Sequence, residues 1–193
     1  MKIRSRFLRR MPFALAVVAM LLVYARIAMP FSLSPGPIAL NYVENAPGMS
    51  SAGMPTRTQF ERVAKAGFGI VVNLVPAGAM GTHDDESDLV ARHGMRYHHV
   101  PVDFEAPGPA HYEQVAAILR QAGDTRVFLH CQLNMRASSF VFLYRVIELG
   151  EDPDVAFRDV SRVWTPSPPW ANFMRDMLLA RNKGLPLELQ LEG

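Results

Sequence analysis

The sequence predicts an α/β domain: a mostly parallel central sheet flanked by helices, with extra helices toward its C-terminal end. Three observations predict it. Short apolar runs rich in β-branched residues, "FGIVVNLV" (68–75) and "RVFLH" (126–130), suit strands buried on both faces. Between them lie stretches whose apolar residues recur at helical spacing and which close on glycine; such alternation implies parallel strands joined by crossover helices. The last third, "ASSFVFLYRVIELG", "DPDVAFRDVSRVW" and "PPWANFMRDMLLARN", reads as helix throughout.

Taken in order, "IALNYV" (38–43) is a candidate first strand. "TRTQFERVAKAG" puts Phe60, Val63 and Ala64 on one helical face and stops at Gly67. "DDESDLVARHG" opens with acids suited to a helix N-terminus and ends at Gly94; the acids of "THDDESD" read as a solvated helix start rather than a metal site. "MRYHHVPV" is the next strand, and its alternation sends His98 and His99 to opposite faces, which argues against a shared metal. "GPAHYEQVAAILRQAG" has Pro109 near its start, Gly123 past its end and an inner stripe of Tyr112, Val115, Ala116 and Leu119. Trp164, Trp170 and the Pro-rich "TPSPPW" are expected to complete the core, with a partner surface as the alternative.

The N-terminus has its own character. Five of the 20 basic residues fall in "MKIRSRFLRR", leaving 15 against 18 acids in the remainder. A basic head followed by the apolar "MPFALAVVAMLLVYA" has the architecture of a signal peptide or signal anchor over 1–29. A linker, 30–38, contains "SLSPGP"; the domain is expected over 39–185 and a tail over 186–193. The domain should therefore be exported, either free in the periplasm or anchored at the inner membrane facing it. With no basic face downstream, no zinc-ligand spacing and no aromatic platform, nucleic-acid binding has no support. One cysteine excludes an intrachain disulfide framework.

That cysteine stands in "RVFLHCQLNMRASSF", after an apolar strand and before a helix. A short loop at such a place aims backbone N–H groups inward, and the helix N-terminus adds a positive field, so the loop suits an oxyanion. Cys131 at its mouth would feel both, which favours the thiolate. Arg136 closes the loop with a planar fork able to hold two oxygens of a tetrahedral anion. In open α/β sheets ligands bind at the carboxyl ends of strands, where His130 and Cys131 lie.

"VFLHCQLNMRAS" followed by an amphipathic helix resembles the loop of the cysteine-dependent phosphatases of the tyrosine and dual-specificity type. More narrowly, "SAGMPTRTQF", "FGIVVNLVP", "YHHVPVDF" and "HCQLNMRAS", in this order, resemble a bacterial phosphatase-like family also found beside β-lactamase-like hydrolase domains. The likeness spans about residues 40–150 and implies a dual-specificity-phosphatase-like fold. It also implies that Cys131 attacks phosphorus to form a phosphocysteine. Arg136 and the loop residues Gln132, Leu133, Asn134 and Met135 would cradle the phosphate. A mobile loop would supply the acid, for which Asp103 in "VPVDFEAPGP" is the candidate and Glu105 the reserve; Asp103 also fits a plain turn residue. His130 is expected to support the cysteine by hydrogen-bonding nearby backbone. No metal or other cofactor is implied, and the substrate would be a phosphorylated protein or small molecule.

Two departures qualify the resemblance. Four residues, "QLNM", separate Cys131 from Arg136, where the common tyrosine-phosphatase loop has five and usually a glycine. Rhodanese-like sulfurtransferases, which carry sulfur as a cysteine persulfide, often have the shorter form, and the bacterial phosphatase-like family shares it too. Without glycine, Asn134 is the residue best suited to a positive φ. Ala137 occupies the position where phosphatases normally place a Ser or Thr that helps the cysteine depart, and Ser138 is the available substitute. The expectation is thus a phosphate-monoester hydrolase acting through Cys131. A rhodanese-like sulfurtransferase and an inactive anion-binding interaction module are the alternatives.

Overall fold

The computed structural model describes residues 38–79 and 81–190. The leader expected over 1–29 and nearly all of the linker lie outside the described residues, as do Met80 and 191–193.

Among the described residues, five strands form one sheet in the order β1-β2-β5-β3-β4. These are β1 (Val43–Ala46), β2 (Met49–Ala52), β3 (Phe68–Asn73), β4 (Arg96–His99) and β5 (Arg126–His130). β1 and β2 make an antiparallel hairpin, while β2, β5, β3 and β4 run parallel to their neighbours. This is the mixed, mostly parallel α/β architecture that the alternating runs predict. β5 lies at the centre, and all of it beyond Arg126 is buried.

Helices cover both faces, as parallel sheets require. On one side α1 (Arg57–Lys65) and α2 (Glu86–Arg92) bury Phe60, Val63, Leu89 and Val90 against Val71 and Phe128 of the sheet. On the other, α3 (Pro109–Gln121), α4 (Met135–Ile147), α5 (Pro153–Val163) and α6 (Pro168–Leu179) pack over Ile70, Val72, Val127 and Leu129. The two sets of strand residues alternate, so the period-2 geometry of a strand feeds two separate cores. A one-turn helix α7 (Leu187–Gln190) adds the buried Leu189. None of the helices among the described residues is long and apolar enough to cross a membrane.

α4 matters most for the site. Every residue from Ala137 to Val146 is buried, so this helix is gripped all round rather than along one stripe. Phe140 meets the Trp170 ring edge-on at 5.6 Å, and Phe142 meets Phe157 at 5.1 Å. Each such side chain contributes roughly 1.5–3 kcal/mol of burial. Near its C-terminal end the buried Arg145 bonds Glu151 (2.6 Å) and Asp159 (2.7 Å). The start of α4 is therefore held by a rigid body.

Two expectations are corrected. Residues 38–42 do not form a strand; β1 begins at Val43, after a turn in which Asn41 takes φ 48°. β2, "MSSA", is a strand that the sequence pattern does not announce. Its four residues are all buried, yet two are serines, so neither an apolar run nor an alternation appears.

Candidate active site

The cysteine loop lies at the carboxyl end of β5, the central strand. It is pinned on its β2 side: the Cys131 N–H donates to the Ala52 carbonyl (3.2 Å) and the Met54 N–H to the Gln132 carbonyl (3.0 Å). Gly53 lies between, and a Cβ there would stand 2.9 Å from the Gln132 carbonyl, closer than real Cβ atoms come. The chain can approach the loop this closely only because residue 53 has no side chain.

Asn134 ends the loop and caps α4. Its φ is 73°, the left-handed conformation expected for the residue that replaces glycine, and it is fully buried. Its Nδ2 donates to the Asn41 carbonyl (2.6 Å), while the Asn41 Nδ2 donates to the Leu133 carbonyl (3.0 Å). The Asn134 side chain caps none of the first-turn amides of α4. Helix geometry leaves the N–H groups of Met135, Arg136 and Ala137 without intrahelical acceptors. These are the amides, with the dipole behind them, that an oxyanion would take.

Cys131 is buried and free. Arg136 holds its guanidinium 5.4 Å from the centre of the Phe104 ring, a cation–π contact. The Arg136 Nε is buried and has no partner among the described residues. A buried donor left unmade costs about 1–3 kcal/mol, a cost that an oxyanion in the loop would remove. Met135 and Gln132 are half-buried, whereas Leu133 is exposed at the rim.

Asp103 stands exposed on the loop after β4, next to Phe104. Its Oδ1 accepts the Glu105 N–H (3.0 Å), so the candidate acid also forms a local turn; Glu105 is exposed too. The C-terminal helices hold this loop. Trp170 Nε1 donates to the Phe104 carbonyl (2.8 Å), and Trp164 and Trp170 flank the Phe104 ring. Acid loop, arginine and C-terminal helix thus meet at Phe104.

Two expected roles change. His130 does not bond backbone near the cysteine; its Nε2 meets the Glu86 carboxylate at 2.9 Å, with both residues buried. Ser138 donates its hydroxyl to the Met135 carbonyl (3.1 Å), as Ser139 does (2.9 Å), so the Ser138 proton is engaged within the helix. Sequence reasoning missed Glu86, Phe104 and Asn41. For Glu86 a signal existed: it lies three and four residues before Leu89 and Val90, on the buried face of α2. Among the described residues no group of three or more His, Cys, Asp or Glu is placed to hold a metal ion.

A strand-loop-helix of this kind, at the centre of this sheet, belongs to the fold of the cysteine-dependent phosphatases of the tyrosine and dual-specificity type. Solved structures agree. A DUF442 protein from Shewanella putrefaciens CN-32, named as a candidate phosphatase, is similar at 30% identity and TM-score 0.68, over 74% of this chain and 93% of that one. A second crystal structure of a protein so described from the same strain gives 29% identity and TM-score 0.69. TpbA of P. aeruginosa, solved in complex with pTyr, matches at 18% identity and TM-score 0.54, over 79% and 90% of the two chains. Kinase associated phosphatase, solved with its catalytic-site cysteine changed to serine, matches at 13% identity and TM-score 0.59, over 71% and 89%. The last two share the fold. No protein-family model matches the sequence, and no curated protein matches it. With 30% identity across nearly the whole of the Shewanella protein, this chain belongs to the DUF442 family.

Proposed function

We propose that this chain is an exported phosphate-monoester hydrolase that works through a phosphocysteine on Cys131. One observation carries the reading: a buried cysteine shares its loop with an arginine whose buried Nε lacks a partner, where the amides of α4 lack acceptors. That is a cradle for a tetrahedral dianion with a nucleophile in it.

In the first step the Cys131 thiolate attacks phosphorus and the ester P–O bond breaks. Asp103 gives its proton to the departing oxygen. Arg136 and the first-turn amides of α4 hold the equatorial oxygens as charge gathers on them. In the second step water attacks the phosphocysteine, the Asp103 carboxylate takes a proton from it, and phosphate leaves with the thiolate restored. The complex of TpbA with pTyr supports a phosphorylated substrate, and phosphotyrosine is one member of that class.

The test incubates the full chain with an aryl phosphate, and separately with thiosulfate and cyanide, each beside Cys131→Ser. Phosphate release that vanadate blocks and the variant lacks is expected; thiocyanate formation instead would assign sulfur transfer. Export is supported by the basic head and apolar run of residues 1–25. Protease added to bacterial spheroplasts, or recovery from the periplasmic fraction, tests it; a chain protected inside the cytoplasm would contradict it.

A further inference from the structure

A groove of about 500 Å³ lies beside the loop that carries Asp103 and Phe104. Its walls are Pro107 from that loop, Pro109 at the start of α3 and Pro169 in the first turn of α6, and Phe173 and Met177 form its floor. The chemistry proposed for Cys131 uses none of these residues. The groove follows one face of α6 from Pro169 to Ala180, a length of roughly 16 Å. That matches about five residues of extended chain. Prolines lack the N–H that an added strand would need, and their rings fix the backbone, so the walls suit an inserted side chain. The floor is braced from beneath, where Phe173 packs edge-on against Phe140 (5.7 Å) and Trp170 (5.8 Å).

The rim has charge of one sign to spare. Arg181 lines one end, but its guanidinium bonds the Glu113 carboxylate and lies over the Tyr112 ring at 5.1 Å. Asp176 also lines the groove; it is exposed, and its carboxylate has no ion pair or hydrogen bond among the described residues. The same holds for the carboxylate of Glu105, two residues before Pro107. Unpaired acids at the edge repel anionic surfaces such as phospholipid or nucleic acid. An apolar trough with such an edge complements a peptide in which an apolar side chain stands beside Lys or Arg.

We infer that this groove docks a polypeptide segment of that composition, and that the segment belongs to the phosphoprotein whose ester is hydrolysed at Cys131. The apolar side chain enters between the prolines onto Phe173 and Met177, and the basic one meets Asp176. Groove and acid loop are one structure: Pro107 follows Asp103 by four residues, and Trp170 of α6 donates to the Phe104 carbonyl (2.8 Å). A docked segment therefore raises the local concentration of its own phosphorylated residue at the cradle. The link to hydrolysis rests on the reading of this chain as a phosphatase, whereas the docking rests on the groove alone.

The probe is a library of unphosphorylated dodecapeptides selected on the full chain, with the affinity of the selected peptide measured by fluorescence anisotropy. The selected sequences should share an apolar residue beside Lys or Arg, and binding should weaken as salt rises. Ala180→Trp, which fills the groove from an exposed position, should weaken binding by roughly tenfold or more. Asp176→Lys should weaken it by roughly three- to tenfold. Both variants should hydrolyse a small aryl phosphate at an unaltered rate, while kcat/KM for the same peptide carrying phosphotyrosine falls in step with binding. Selection of no common sequence, of an acidic one, or of a peptide that both variants still bind would overturn the docking. A self-associated chain that Ala180→Trp makes monomeric would also overturn it, by assigning the groove to a second copy. So would binding to phosphatidylcholine vesicles that Ala180→Trp abolishes. Near-UV circular dichroism reports the fold; should Ala180→Trp not fold, Asp176→Lys decides. Peptide binding by a chain that hydrolyses no phosphate ester would leave the docking standing and remove the phosphatase reading alone.

Discussion

Asn41 and Asn134 hold each other's backbone: the Asn134 side chain bonds the Asn41 carbonyl, the Asn41 side chain bonds the carbonyl before Asn134, and both residues have positive φ. The cysteine loop is thus closed by a reciprocal pair of residues 93 apart in the sequence. Asparagine suits both positions, since it tolerates the left-handed region and carries an amide to spend.

Asn134→Ala should lose both properties at once. It gives up the bond to Asn41 and forces a Cβ residue without a compensating side chain into positive φ, for a combined cost of about 2–3 kcal/mol. Asn134→Gly should cost less, because it relieves the backbone and loses only the bond. Urea denaturation of both variants checks the order.

Gly53→Ala should damage the loop rather than the core. Its Cβ would press on the Gln132 and Leu40 carbonyls, so the loop must shift by some tenths of an ångström. Phosphate-ester turnover is expected to fall by roughly tenfold or more, as misplaced catalytic groups do, with a smaller loss of thermal stability.

Phe104→Ala should weaken the anion site without touching the anion. Removing the ring frees Arg136 and forfeits about 0.5–2 kcal/mol of cation–π support, a loss of roughly 2- to 30-fold in kcat/KM. Trp170→Phe, which removes the bond to the Phe104 carbonyl and part of a buried ring, should show a milder form of the same defect together with a loss of stability. Steady-state kinetics on an aryl phosphate separate the two.

Alkaline pH should unfold the protein through its tyrosines. Burial and the Glu86 charge hold the Tyr97 phenol up at about 12, and burial with Glu148 raises Tyr112 further. In the unfolded chain both ionise near pH ~10. The stabilisation is therefore full below pH ~10 and is lost as pH rises through the folded-state values. Tyrosinate absorbance followed against pH should show these rings ionising late, together with loss of the fold.

Much of this was legible in the sequence. "RVFLH" coincides with β5, and the helices appear where glycine stops and apolar spacing place them, because those signals are local. Asn134 could be singled out because a loop without glycine needs some residue to take positive φ. What stayed hidden depends on distant partners. The spacing of Glu86 to Leu89 and Val90 marks its face as buried, but its partner His130, 44 residues away, has no local signal. β2 is invisible because "MSSA" is buried by its neighbours rather than by its own hydrophobicity. The tie between Phe104 and Trp170 likewise spans 66 residues that no local pattern connects.

The most direct measurement is a rapid acid quench of the full chain during turnover of a phosphate monoester, followed by mass spectrometry of the peptide carrying Cys131. Phosphate on the Cys131 sulfur, absent from Cys131→Ser, is the result expected. Hydrolysis that proceeds with Cys131 unmodified, or with phosphate on another residue, would contradict the phosphocysteine route.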